Sequence, residues 1–295
     1  MRVFVTGATG FIGEAVVREL VAAGHTVLGL ARSDAAAATL ARTGVDVQRG
    51  DLTDTASLVA GALACDGVAH LAFIHDFSAY EAAAETDRRA VEAMTGALEG
   101  SGKSFVLTSA TALAASGGVT MEDDTPPDGG LPRGRTEAVV LAAAGRGVRT
   151  SIVRLSVSVH GAGDHGFVPR LIDFARRTGV AAFIGDGGNR WPAVHRLDAA
   201  RLYRLALEKA APGSRLHGVA ESGVPMRAIA ETIGAGLGVP VRSLSVDEAA
   251  GHFGWMTRFV AMDNPTSSDI TRTTCGWQPQ EPDLLTDMRT NGYFG

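Results

Sequence analysis

Apolar residues in the first half of the chain follow two alternating patterns. Short β-branched runs at Val3–Thr6, Thr26–Leu30, Val45–Gln48, Gly67–Leu71, Ser104–Thr108 and Arg149–Arg154 read as strands. Between them, near 12–23, 35–42, 55–63, 79–100 and 133–145, lie Ala-rich stretches with helical spacing. Strands alternating with helices predict a parallel sheet with crossover helices. Gly117–Gly130, rich in Gly, Pro and Asp, reads as a surface loop.

After Arg154 the pattern changes. A Gly-rich loop, His160–Gly166, precedes an amphipathic helix, Phe167–Arg177. A strand at Val180–Ile184, a loop at Gly185–Pro192, a helix at Leu197–Lys209, a strand near Arg215–Val219 and a helix at Pro225–Leu237 follow. This half is mixed and loop-rich, as expected of a lobe over the carboxyl edge of a sheet. The expectation is therefore an α/β protein. A doubly wound parallel sheet spans 1–155, and a smaller mixed C-terminal substrate lobe spans 156–295, with some segments returning to the sheet. The charge runs Arg176-Arg177 and Met121–Asp124 are expected to be solvated. Phe253, Trp255, Met256 and Phe259 read either as core or as a cap on a pocket.

The first strand runs directly into Thr6-Gly-Ala-Thr-Gly-Phe-Ile-Gly13. In such a turn Gly7 permits the tight bend, Gly10 leaves room for a pyrophosphate against the backbone, and Gly13 lets the helix pack close. The free amides and dipole of the helix start favour an anion. At the end of the second strand, Arg32 and Ser33 suit a 2′-phosphate better than a bare ribose, whereas Asp34 would favour the ribose.

Composition narrows the classes. A net charge of −5 and a pI near 5.9 give no basic footprint, so nucleic acid is not an expected partner. Cys65 and Cys275 lack metal-ligand spacing and read as buried thiols of a reducing compartment, so no metal is expected. No stretch is apolar enough to span a bilayer and no signal peptide is evident; a cytoplasmic location is expected.

Six ordered segments resemble the extended short-chain dehydrogenase/reductase superfamily, the NAD-dependent epimerase/dehydratase-like proteins with a Rossmann-type sheet. They are the glycine turn, Gly50-Asp-Leu-Thr-Asp54, Ala69-His-Leu-Ala-Phe73, Leu107-Thr-Ser-Ala110, Val153-Arg-Leu155 with Ser158-Val-His-Gly161, and Val194-His-Arg-Leu-Asp198. The tail, with Cys275-Gly-Trp-Gln-Pro279 and Gly292-Tyr-Phe-Gly295, is similar as well. The resemblance implies a nicotinamide cofactor held by Gly7, Thr9, Gly10, Phe11, Ile12 and Gly13. Beyond that turn it implies Arg32, Ser33, Asp51 and Leu52 toward the adenosine, and Leu71, Ala72, Phe73, Thr108, Ser156 and Val157 further along. NADP(H) is the expected form, with NAD(H) second.

The superfamily's acid/base pair, Y-x-x-x-K, is expected near residue 133, where this chain reads Arg133-Gly-Arg-Thr-Glu137. The three tyrosines, Tyr80, Tyr203 and Tyr293, have no Lys four residues later. The chain thus resembles atypical members that keep the nucleotide site without this pair. Arginine stays protonated and does not relay protons, but a fixed guanidinium donates well to an oxyanion. Arg133 is a candidate for that role or a surface residue at a helix start. Glu137 pairs with Arg133 across one turn, in the site or on the surface. Ser109 falls at the superfamily's Ser/Thr position. His160, with Asp164 and His165, offers another proton source, as does His75. The catalytic candidates are therefore Ser109, Arg133, Glu137 and His160, and the substrate candidates His75, His165, Arg190, Trp191 and Trp255. Arg190 and Trp191 either stack on a substrate or anchor the lobe.

Three functional readings follow. The first is an NADP(H)-dependent oxidoreductase reducing a carbonyl, imine or conjugated double bond of a small molecule. The second is a non-redox epimerase, dehydratase or cyclase, and the third an NADP-binding regulator without turnover. The helices after strands four and five, being Ala-rich, are expected to form a two-fold homodimer.

Overall fold

A computed structural model describes residues 1–115, 117–127 and 129–295, with every side chain of these except that of Phe77. The first half of the chain runs β1 (Arg2–Thr6), α1 (Phe11–Ala22), β2 (Thr26–Ala31), α2 (Asp34–Arg42), β3 (Asp46–Arg49) and α3 (Thr55–Leu63). It continues with β4 (Gly67–His70), α4 (Tyr80–Ala97), β5 (Ser104–Ala110), α5 (Gly134–Ala144) and β6 (Arg149–Leu155). The second half runs β7 (Ser158–His160), α6 (Phe167–Thr178), β8 (Ala181–Ile184), β9 (Arg190–His195), α7 (Arg196–Lys209), β10 (Ser214–Gly218) and β11 (Glu221–Pro225). It closes with α8 (Met226–Leu237), β12 (Val241–Leu244), α9 (Val246–Phe253), α10 (Thr257–Val260), α11 (Asp269–Cys275) and α12 (Leu284–Thr290).

The main sheet has seven strands in the order β3-β2-β1-β4-β5-β6-β10, every neighbouring pair parallel. Strand order reverses between β1 and β4, so the crevice at their carboxyl ends is the expected ligand site. The strands read as continuous apolar runs because both faces are covered. On one side α1 and α7 cover them, with Leu20, Val153 and Tyr203 in the core; on the other, Phe4, Leu58, Met94 and Phe105 pack beneath α3, α4 and α5. Residues 196–218 supply α7 and β10, so the second half does contribute to the main sheet.

The lobe core gathers Leu171, Phe183, Trp191, Ile229 and Phe253 from α6, β8, β9, α8 and α9. Two small sheets brace it: β11-β9-β7 and β12-β8. Residues 190–195, expected within or beside a loop, are a strand. Pro192 disrupts little, because the β11–β9 register shifts opposite it and the β7–β9 ladder begins only at Ala193.

The expected surface segment 117–130 is only partly exposed; Asp128 lies outside the described residues. Thr120 is buried and bridges to Thr266, and Glu122 is buried with its carboxylate accepting from the Thr271 amide and hydroxyl. The run 121–124 is therefore not uniformly solvated. Both cysteines are buried and free. Among the described residues no helix is long and apolar enough to cross a membrane, and no group of three His, Cys, Asp or Glu side chains could hold a metal.

Candidate functional site

A cavity of about 1090 Å³ runs from the β1–α1 turn across the sheet's carboxyl edge to α6. Its floor is built by the glycines. Gly7 has φ +70°, in the region that favours glycine. A Cβ on Gly13 would stand 1.9 Å from the Gly7 carbonyl, so α1 can start here only with glycine at that position. Gly10 is the N-cap of α1 and brings no side chain to accept from the first amides. Those amides therefore face the cavity uncapped, an arrangement that suits the diphosphate of a dinucleotide.

At one end of the cavity stand Arg32, Ser33, Asp51 and Leu52. Asp34, which would favour a ribose, is turned outward onto Arg49, 2.7 Å away. Ser33 caps α2 by accepting from the Ala36 amide. Asp51 accepts from the Thr53 hydroxyl and amide, and these bonds hold its carboxyl below the ordinary range.

The middle wall is Leu71, Ala72, Phe73, Ile74 and His75 after β4. A buried chain fixes it. His70 donates to Asp87 and accepts from the Thr6 hydroxyl, whose oxygen accepts in turn from the Leu71 and Ala72 amides at 3.2 Å. From β5 the wall receives Thr108, whose hydroxyl donates to the His70 carbonyl and accepts from the wholly buried Tyr203 hydroxyl at 2.6 Å. Tyr203 gives no signal in the sequence beyond its place in an amphipathic helix.

Ser109, one residue on, points to the opposite face, as strand geometry requires. It is buried and donates to Glu137, whose carboxylate also takes a two-pronged bond from the fully buried Arg154 at 3.0 and 2.7 Å. Ser109 and Glu137 thus belong to the core and not to the cavity wall, and Glu137 pairs with Arg154 instead of Arg133. Thr108, and not Ser109, is the β5 residue that lines the cavity.

Arg133 precedes α5 and donates to the Thr108 carbonyl at 2.9 Å, with its guanidinium carbon 4.2 Å from the centre of the Phe73 ring. It stands behind two wall residues and does not line the cavity itself. Its charge still reaches the wall. Burial first, and the Arg133 cation next, hold the His75 ring below its ordinary value.

The lobe closes the far end with Val157, Asp164, His165, Phe167, Arg170 and Trp255. The His165 ring meets Phe11 edge-on at 5.6 Å. Burial pushes the Asp164 carboxyl up, while its oxygens accept from the Gly166 amide and the Tyr293 hydroxyl. Other expected residues lie elsewhere. Ser156 is buried, donating to the Gly218 carbonyl. His160 is buried against Asp287 at 2.9 Å. Arg190 is committed to Asp263, and Trp191 lies in the lobe core with its indole N–H on the Phe259 carbonyl. These two anchor the lobe. Phe253 and Met256 are core, and Trp255 alone of that group faces the cavity.

The model of the NAD dependent epimerase/dehydratase family matches residues 3–217. The chain belongs to this family. An uncharacterized protein of Schizosaccharomyces pombe is 48% identical over 295 residues, covering 100% of both chains. A 2-alkyl-3-oxoalkanoate reductase of Stenotrophomonas maltophilia is 31% identical over 257 residues, covering 81% of this chain and 77% of its own. Among solved structures, a dTDP-glucose 4,6-dehydratase from Streptomyces venezuelae with NAD bound superposes with a TM-score of 0.79 at 20% identity, covering 100% of this chain and 97% of that one. At that identity the likeness shows the fold.

Proposed function

We propose that this family member reduces a carbonyl group of a small molecule, with NADP(H) as cofactor. The observation that carries the reading is the cavity itself. It has uncapped α1 amides at the glycine turn, Arg32 and Ser33 at the end of β2 with Asp34 turned out onto Arg49, and room left over beneath the lobe. The reductase name of the Stenotrophomonas relative supports the carbonyl.

Arg32 and Ser33 would hold the 2′-phosphate, Asp51 and Leu52 the adenosine, and the Gly7–Gly13 turn the diphosphate. NADPH, when bound, supplies the hydride. With the hydride supplied to the carbonyl carbon, the wall would have to furnish a proton to its oxygen to give the alcohol. Thr108, with its hydroxyl proton held by the His70 carbonyl and its oxygen by Tyr203, is a fixed wall residue and not a donor to the substrate. His75 is the titratable wall residue beside Phe73 and delivers the proton. Arg133 adds positive charge from behind Phe73 and orients the Thr108 segment.

The test is oxidation of NADPH and NADH against a panel of ketones, aldehydes and imines. Turnover with NADPH in preference to NADH is expected. Preference for NADH would refute the role given to Arg32. Tight NADPH binding with no oxidation across the panel would favour a nucleotide-binding regulator. One observation speaks for that second reading: the cation in the place of the superfamily's tyrosine is screened by Phe73.

A further inference from the structure

The lobe end of the cavity carries a cation that the cofactor reading leaves unused. Arg170 lies in the first turn of α6 and lines the cavity. Among the described residues its side chain makes no hydrogen bond, ion pair or ring contact. Its helix neighbour Asp173, spaced to pair with it, is instead 3.8 Å from Arg176. Arg133 is committed to the Thr108 carbonyl and Phe73, Arg196 to the Phe11 carbonyl and ring, and Arg32 stands at the opposite, adenosine end of the cavity.

The flank of Arg170 is apolar. Phe167, three residues earlier, shares its face of α6 and also lines the cavity. Trp255 stands across from it, its ring 6.5 Å from that of Phe167, and is 54% exposed although it sits in a well-packed lobe. An indole and a guanidinium lining the same cavity suit a ligand with an apolar body and an anionic end. The charge of that end follows from Asp164, which lies in the same wall. A single guanidinium in a wall that also holds a carboxyl suits a monoanion better than a dianionic phosphate.

We propose that the substrate is a carboxylate-bearing carbonyl compound, an oxo acid with an apolar chain, whose carboxylate is bound by Arg170 and whose chain lies against the cavity face of the Phe167 and Trp255 pair. This rests on the carbonyl-reductase reading for turnover but not for binding.

The experiment compares oxo-octanoates, with the ketone moved along the chain, against their methyl esters in the wild type, Arg170→Met and Arg170→Lys. A charge-assisted hydrogen bond is worth about tenfold to a hundredfold in kcat/KM. The wild type should prefer acid over ester by that order, Arg170→Met should lose the preference, and Arg170→Lys should keep part of it. An unchanged preference in Arg170→Met overturns the proposal. So does a loss of NADPH affinity in Arg170→Met as large as the loss on the acids, since Arg170 would then serve the cofactor. Should neither acid nor ester be reduced, octanoate and octanamide are titrated calorimetrically into the NADPH-bound protein. Octanoate binding that vanishes in Arg170→Met upholds the anion site while the reductase reading falls. Equal binding of the two probes, or none, overturns the site as well.

Discussion

Replacing Glu137 by methionine tests whether this residue supports the fold or the chemistry. Its carboxylate is 1% exposed and holds three donors: the Ser109 hydroxyl at 2.6 Å and the two prongs of Arg154 at 3.0 and 2.7 Å. Arg154 is 0% exposed. Its remaining hydrogen-bond partners are the Glu122 carbonyl at 3.4 Å and His217 Nε2 at 3.5 Å, while the Glu122 carboxylate is taken up by the Thr271 amide and hydroxyl. Removing Glu137 therefore strands a buried guanidinium. Breaking a buried pair in this way costs about 3–5 kcal/mol. At roughly 2 °C per kcal/mol for a chain of this size, the midpoint should fall by about 6–10 °C. Urea and thermal denaturation of Glu137→Met and of Glu137→Met/Arg154→Met read the effect. The double variant should recover most of the loss, because it removes both charges and fills the volume with apolar atoms. NADPH affinity of the folded single variant, measured well below its midpoint, should match wild type. A loss under about 1 kcal/mol, or a double variant no more stable than the single, would refute the argument.

Other expectations follow from the same geometry. Arg32→Ala should weaken NADPH binding by about tenfold to a hundredfold and NADH binding far less; equal losses in fluorescence titrations would mean that Arg32 does not read the phosphate. Gly13→Ala should abolish cofactor binding or folding, since its Cβ would meet the Gly7 carbonyl at 1.9 Å, and normal titration curves would contradict that. If His75 delivers the proton, kcat for reduction should decline as pH rises through its depressed pKa, and His75→Gln should flatten the profile; an unchanged profile assigns the proton to solvent. His217 is also held below its ordinary value, chiefly by burial, so it stays neutral in the fold while the unfolded chain binds a proton below about pH 6.5. Its contribution is present above that pH and lost as pH falls, so His217→Asn should show a shallower decline in stability between about pH 7 and 5. A two-fold dimer through α4 and α5 should be salt-sensitive. The alanines Ala83, Ala84 and Ala90 are already buried within the chain, and Glu85, Arg88, Arg89 and Glu92 on α4 form exposed ion pairs; a monomeric mass by light scattering at low salt would end that expectation.

The central sheet was legible because parallel strands buried on both faces leave contiguous β-branched runs, and each of the six expected strands lies within a residue or two of its place. The glycine turn was equally legible, since its three glycines answer steric demands that no other residue meets. The lobe was harder. Strands β7 and β12 have three and four residues, β9 contains Pro192 and β11 contains Gly223, so local pattern alone reads them as loop. Ser109 lies off the cavity for a reason of register. A strand end says that a hydroxyl faces the site, but Thr108 and Ser109 are adjacent, and only the sheet decides which side each takes. The position of Glu137 was nonetheless written in the chain. Thr136, Glu137, Val140 and Ala143 are the buried positions of α5, a spacing that places Glu137 on the core face together with Val140 and Ala143. Arg154, lone among Ser151-Ile-Val153 and Leu155, is a charge in a strand buried on both sides. A buried guanidinium requires a buried carboxylate, and α5 directly precedes β6 and packs against it. Read together, those two anomalies identify the pair and release Arg133 from Glu137, leaving its guanidinium to the Thr108 carbonyl and the Phe73 ring.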